Sequence, residues 1–171
     1  MHIIIDGYNL IRQSDTLSEL DRLDLQTGRE ALVETLASYR RLRPHSITVV
    51  FDGTHAPAFS SRLDRRKGIH IRFSRPGETA DAVICRMAAA ERERALVVTS
   101  DRAVASQATA CGADAVDSAA FETRIRLAAS MADAGGNEEE SAGWKPTTRK
   151  KGPGRRLSKK ARRKRKKLRK L

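Results

Sequence analysis

His2-Ile3-Ile4-Ile5, closed by Asp6-Gly7, is a short apolar block stopped by a turn, the pattern of a strand buried on both faces. The design returns at Ile47-Thr48-Val49-Val50-Phe51 before Asp52-Gly53, and at Ala95-Leu96-Val97-Val98-Thr99 before Ser100-Asp101. Ile69–Phe73 adds another strand, after an irregular basic loop, and Ala115-Val116 a weak last one. Between them, Leu32, Val33, Leu36, Tyr39 and Leu42 place one apolar stripe on a helix over 28–43, which Pro44 stops. Ala80, Val83, Ile84, Met87 and Ala88 form a second helical face, and shorter patterns follow over 103–110 and 118–131. Strands alternating with helices predict an α/β domain over residues 1–131, with a parallel sheet covered on both sides.

Charge divides the chain differently. Residues 1–131 hold 18 Lys+Arg against 17 Asp+Glu, whereas 145–171 hold 16 Lys+Arg and no acid, so the net +13 resides in the tail. Residues 132–144 carry four acids, no base and no apolar face, and read as a flexible linker. Neither segment offers enough apolar surface to fold alone, so the basic tail is expected to be disordered until its charges are neutralised. A near-neutral body with a cationic arm points to a polyanionic partner. The start of the chain shows no export signal, and no 18-residue apolar run occurs, so the expectation is a cytoplasmic protein without membrane contact. Cys85 and Cys111 have no zinc-ligand spacing and read as small buried residues.

Ligands of an open parallel sheet bind beyond the carboxyl ends of its strands. Asp6, Asp52 and Asp101 follow three strands there, and Asp81 lies in the first turn of a helix with Glu78 just before it. Each alone suits a turn or a helix cap. Gathered at one crevice they repel, by roughly 1 to 4 kcal/mol for a pair about 4 Å apart, and call for a cation or for protons. Oxygen donors without His or Cys suit Mg2+ or Mn2+, and phosphodiester hydrolysis is the chemistry such ions serve. Other acidic or nucleotide sites fail on their motifs. Asp6 is followed at the second position by Tyr8, where a haloacid-type phosphatase needs a second Asp, and neither a P-loop nor a dinucleotide-binding glycine string occurs, so no nucleotide cofactor is expected. His2, His45, His55 and His70 show no metal spacing.

Four strings resemble the NYN-domain or YacP-like ribonucleases of the wider PIN-like nuclease fold: residues 3–11 (Ile-Ile-Ile-Asp-Gly-Tyr-Asn-Leu-Ile), 49–53 (Val-Val-Phe-Asp-Gly), 78–84 (Glu-Thr-Ala-Asp-Ala-Val-Ile) and 97–101 (Val-Val-Thr-Ser-Asp). Order and spacing match over roughly 2–127. The resemblance implies a three-layer domain with sheet order 3-2-1-4-5 and a Mg2+- or Mn2+-dependent endoribonuclease, in a family where some members act on messenger RNA at the ribosome. It implies Asp6, Asp81 and Asp101 as metal-site acids, Asp52 as a further catalytic acid, and Asn9, Ser100 and Glu78 as polar supports. One departure stands out, because Gly112-Ala113 leads into Asp114-Ala115-Val116-Asp117 where relatives often carry a base.

RNA contacts are expected from Tyr8 by stacking, from Arg62, Arg65, Arg66 and Lys67 in the basic loop, and from the tail through Arg155, Arg156, Lys159, Lys160, Arg162 and Arg163. Without interleaved aromatics such a tail grips phosphates and reads no sequence. The alternative function is a catalytically silent RNA- or ribosome-binding module on the same fold.

Overall fold

The computed structural model describes residues 1–55, 63–134 and 158–171. Among the described residues, six strands form one sheet: β1 (His2–Asp6), β2 (Ser46–Phe51), β3 (Leu63–Arg66), β4 (Ile69–Phe73), β5 (Ala95–Val98) and β6 (Asp114–Val116). Their order is β3-β4-β2-β1-β5-β6. The pairs β4-β2, β2-β1, β1-β5 and β5-β6 are parallel, and β3 is antiparallel to β4. The sheet is therefore mixed, where the sequence predicted five parallel strands. β3 falls inside the stretch read as an irregular loop, because Leu-Asp-Arg-Arg carries no apolar alternation. Its pairing follows from the turn: Lys67 (φ 51°) and Gly68 (φ 84°) both adopt positive φ, as two-residue hairpins with the favoured twist require.

Helices α1 (Gly7–Gln13), α2 (Asp15–Leu23), α3 (Leu25–Leu42), α4 (Ala80–Glu91), α5 (Arg102–Ala110), α6 (Ser118–Ala134) and α7 (Lys159–Leu168) complete the fold. Alternation along β1 divides the core between the two sheet faces. Ile3 and Ile5 pack with residues of α1, α2, α3 and α6, whereas Ile4 packs with Val83, Ile84 and Ala88 of α4 and with Val104 and Ala108 of α5. All three isoleucines are fully buried, each contributing roughly 1.5 to 3 kcal/mol of transfer free energy. The segment between β1 and residue 28 is helical too, since Ser14 caps α2 through the Leu17 N–H and Asp24 caps α3 through the Thr27 N–H.

The tail differs most from expectation. Residues 135–157 lie outside the described residues, but α7 is a helix docked on the domain rather than a disordered arm. Lys167 Nζ stands 2.8 Å from Asp114 Oδ2 and the same distance from the Ala95 carbonyl oxygen, to which it donates. Arg163 Nε is 3.6 Å from Asp114 Oδ2, and its guanidinium also pairs with Glu93 and donates to the Gly112 carbonyl. Asp114 is 1% exposed, so these cations neutralise a buried charge. Leu171 joins the main core, and its carbonyl accepts from the Tyr39 hydroxyl at 2.9 Å. Burial pushes that phenol up to about 12, which keeps its proton in place as a donor. Arg124 and His45 close the dock on the Leu168 and Lys170 carbonyls. A few apolar anchors and one buried acid suffice to fold a segment whose composition alone reads as disordered.

Candidate active site

Four aspartates line one cleft at the carboxyl end of the sheet, with Tyr8, Asn9, Arg12, Thr54 and Thr79 among its other walls. Backbone geometry brings each acid there. Asp6 ends β1 and caps α1, accepting from the Asn9 N–H at 3.2 Å. Asp101 follows β5 and caps α5, accepting from the N–H groups of Ala103 at 2.7 Å and Val104 at 3.1 Å. Asp81 occupies the first turn of α4, which Thr79 caps. Asp52 follows β2, and its Oδ1 accepts from the Thr54 N–H at 2.8 Å. The capping roles are real, and together they aim the amino ends of α1, α4 and α5 at the acids, where helix dipoles favour negative charge.

That support does not cancel the crowding. Burial, and then the charges of Asp81 and Asp101, push the Asp6 carboxyl above the ordinary carboxylate range, against hydrogen bonds from the Asn9 N–H and the Thr99 hydroxyl. Asp81 stands at the exposed rim, yet partial burial and the neighbouring Asp101 and Asp52 raise it as well. Folded-state values above the unfolded ones favour folding below the carboxylate range, and that contribution is lost as pH rises through the raised folded values. With chelator present, Asp6→Asn is therefore expected to melt above wild type at about pH 7. The gap should close on acidification to about pH 4, which thermal denaturation at both pH values would register.

A polar network behind the cleft sets the corner between β5 and α5. Asn9 Oδ1 accepts from the Ser100 N–H and from the Ser118 hydroxyl, both at 2.8 Å. Ser100 turns its own hydroxyl to Asp117 at 2.7 Å, so this side chain braces the corner instead of entering the cleft. The Thr99 hydroxyl donates to Asp6 Oδ2 at 3.2 Å and accepts from the Asp101 N–H at 3.1 Å, joining two of the acids.

Other sequence-predicted residues are placed differently. Glu78 does not line the cleft: it pairs with Arg86, whose hydrogen bond holds its carboxyl below the ordinary range. The Tyr8 ring walls the cleft, with the Arg12 guanidinium 5.8 Å from its centroid, while its hydroxyl accepts from Arg29 Nε at 2.9 Å. Arg66 pairs with Asp64 and Glu30, and Lys67 with Glu34, beside a separate pocket against α3; Arg65 is exposed. Arg163 faces the body, whereas Arg162, Lys164, Arg165, Lys166, Arg169 and Lys170 are exposed. Arg62, Arg155 and Arg156 lie outside the described residues, as do the side chains of Lys159 and Lys160. Cys111 is exposed and Cys85 half-buried, both as free thiols, against the expectation that both are buried.

Sequence reasoning missed Arg12, Thr79 and Thr99. Arg12 was legible as the residue one helical turn beyond Tyr8, and Thr79 as the cap before an apolar run. Thr99 carried no comparable signal. Among the described residues, no three Asp, Glu, His or Cys side chains converge closely enough to enclose an ion as they stand, and no helix is long and apolar enough to cross a membrane.

The chain is 28% identical over 88 residues to the uncharacterized protein YacP of Bacillus subtilis, an alignment covering 52% of this chain and 51% of that one, so the match spans about half the length of the relative. Two crystal structures of Rae1 (YacP) from Bacillus subtilis, one of them a mutant, resemble it with TM-scores of 0.67 and 0.65 at 22% identity. Each likeness covers 78% of this chain, with 78% and 79% of the respective solved chain, and speaks for the fold alone. The model of the YacP-like NYN domain matches residues 3–170, a span that takes in the aspartate cleft and the docked α7 alike. From β1 to the end of its basic helix, the chain belongs to the YacP-like NYN domain family, a nuclease-type family.

Proposed function

We propose that this protein is an endoribonuclease that hydrolyses RNA phosphodiester bonds with the help of Mg2+ or Mn2+. One observation carries the reading: Asp6, Asp52, Asp81 and Asp101, from four separate segments, line a single cleft in a chain of a nuclease-type family. The cleft raises the pKa of two of them, a stability cost that an inert scaffold would have no reason to keep.

The donor set fits a hard divalent cation. Mg2+ and Mn2+ accept carboxylate oxygen, and Mg2+ usually retains several waters and takes only one or two protein carboxylates, so no tight cage of three side chains is required. Asp6, Asp81 and Asp101 would hold the ion, some of them through its waters, with Asp52 as a further acid at the same cleft. When bound, such an ion supplies an acidified water nucleophile and neutralises charge developing on the phosphoryl and leaving oxygens. The chain's own residues do the positioning. Asn9 fixes the corner that presents Asp101, Thr99 ties that corner to Asp6, and the Arg12 guanidinium offers the incoming phosphate the one cation among the cleft's described walls.

The test is incubation of purified protein with a pool of structured and single-stranded RNA, with Mn2+ or Mg2+ and with chelator. Cleavage that requires the metal supports the reading. Divalent metal at about 100 times its Kd is also expected to add about 2.7 kcal/mol of stability, lost in Asp101→Asn, and a melt unchanged at millimolar metal would count against the site.

The exposed cations of α7 favour a second reading, a silent RNA- or ribosome-binding module. Protein that binds RNA tightly but cuts neither free RNA nor RNA on translating ribosomes would establish it. In both readings the exposed face of α7 grips phosphates without reading sequence.

A further inference from the structure

On the far side of the amino end of α4 from the cleft lies another pocket, of about 360 Å³. Thr79, Ala80 and Asp81 wall the cleft, while Glu78, Val83 and Arg86 wall this pocket, so the two share the start of one helix. Arg72 of β4 and Arg75 of the loop after it complete a three-arginine lining, with Leu63 exposed at the mouth. Its charge is opposite to that of the cleft. Glu78 pairs with Arg86 and also feels the charge of Arg75, whereas Arg72 has no ion-pair partner among the described residues.

Four carboxylates and one arginine make a poor approach for a polyanion. A strand whose scissile phosphate enters the cleft needs cations for the phosphates that flank it, and guanidinium groups meet phosphate oxygens in bidentate fashion. We propose that Arg72 and Arg75, with Arg86 in reserve, form a subsite for a neighbouring phosphodiester of the same single-stranded RNA, setting which way the strand lies across the cleft. The inference rests on the ribonuclease reading.

It is tested by the binding of a fluorescein-labelled single-stranded oligoribonucleotide to full-length protein carrying Asp101→Asn, which removes cleavage from the measurement. In that background, Arg72→Gln with Arg75→Gln is expected to weaken binding by about tenfold or more. It should also flatten the slope of log K against log salt by about 1.4, for two lost phosphate contacts on a single strand. Arg126→Gln, an exposed change on α6, should do neither. Glu78→Gln, which releases Arg86, should tighten binding severalfold. In protein with Asp101 intact, the double variant should raise KM and leave kcat.

Affinity, salt slope and KM matching those of Arg126→Gln would overturn the subsite even if cleavage is robust. Conversely, an absence of cleavage in wild-type protein together with the expected binding changes would remove the ribonuclease reading and keep these arginines as an RNA contact.

Discussion

Asp101→Asn is expected to lower metal-stimulated RNA cleavage by at least about 100-fold with the protein still folded, and Asp6→Asn to do the same. Losing a group that merely orients a metal ligand costs about 10- to 100-fold, and a ligand itself should cost no less. Asparagine caps helices as well as aspartate does, so the N–H groups of Ala103 and Val104 keep their acceptor in one variant and that of Asn9 in the other. The loss therefore reports on charge at the cleft. Single-turnover rates on one RNA, with circular dichroism melts of each variant, would measure it. Asp117→Asn supplies the control, because Asp117 caps α6 and accepts from Ser100 outside the cleft lining. Wild-type rates in both cleft variants would sink the proposed chemistry.

That experiment was already legible in the sequence, for a physical reason. Asp6, Asp52 and Asp101 each follow a short apolar block that reads as a buried strand, so their place at one sheet edge follows from topology. Glu78 shows the limit of the same reasoning. It lies three residues before Asp81, and nothing in the sequence says that Arg86, two turns along α4, draws it away from the cleft. Helix α1 was missed because its seven residues are too few to display a period, whereas α2 does carry Leu17, Leu20 and Leu23 at helical spacing, a signal that the reading of the sequence passed over.

Removing residues 158–171 is expected to destabilise the domain by about 3 to 5 kcal/mol, a fall in Tm on the order of 10 °C. Truncation strips Asp114 of both Lys167 and Arg163, removes Leu168 and Leu171 from the core, and deprives the Tyr39 hydroxyl of its acceptor. Against a total stability of about 5 to 15 kcal/mol, that loss is severe. Asp114→Asn in the truncated chain should recover part of it, since the uncompensated charge disappears. Salt separates the two duties of the segment. A buried pair is screened little, so the melt of the full chain should hold in high salt, while RNA affinity through the exposed cations collapses. A truncated protein as stable as the full chain would mean that α7 does not dock in solution.

The position of α7 also revises what its charge can accomplish. Its anchors, His45, Ala95, Gly112 and Asp114, precede or open β2, β5 and β6, whereas the cleft lies past the other ends of the strands. The height of β5, roughly 13 Å at about 3.3 Å per residue, separates the two. Asp114 is accounted for by this dock, as the counter-charge that Lys167 requires.

The β3 hairpin carries a consequence of another kind. A sheet that stopped at β4 would present Ile69, Ile71 and Phe73 along an open backbone edge, a template on which a second chain could add a strand. β3 occupies that edge with one leucine and three charged residues, and the opposite edge is the three-residue β6, too short to recruit much. Resistance to aggregation in this protein thus depends on a two-residue turn at Lys67 and Gly68. Changes that open that turn should be recognised first by turbidity in concentrated solution.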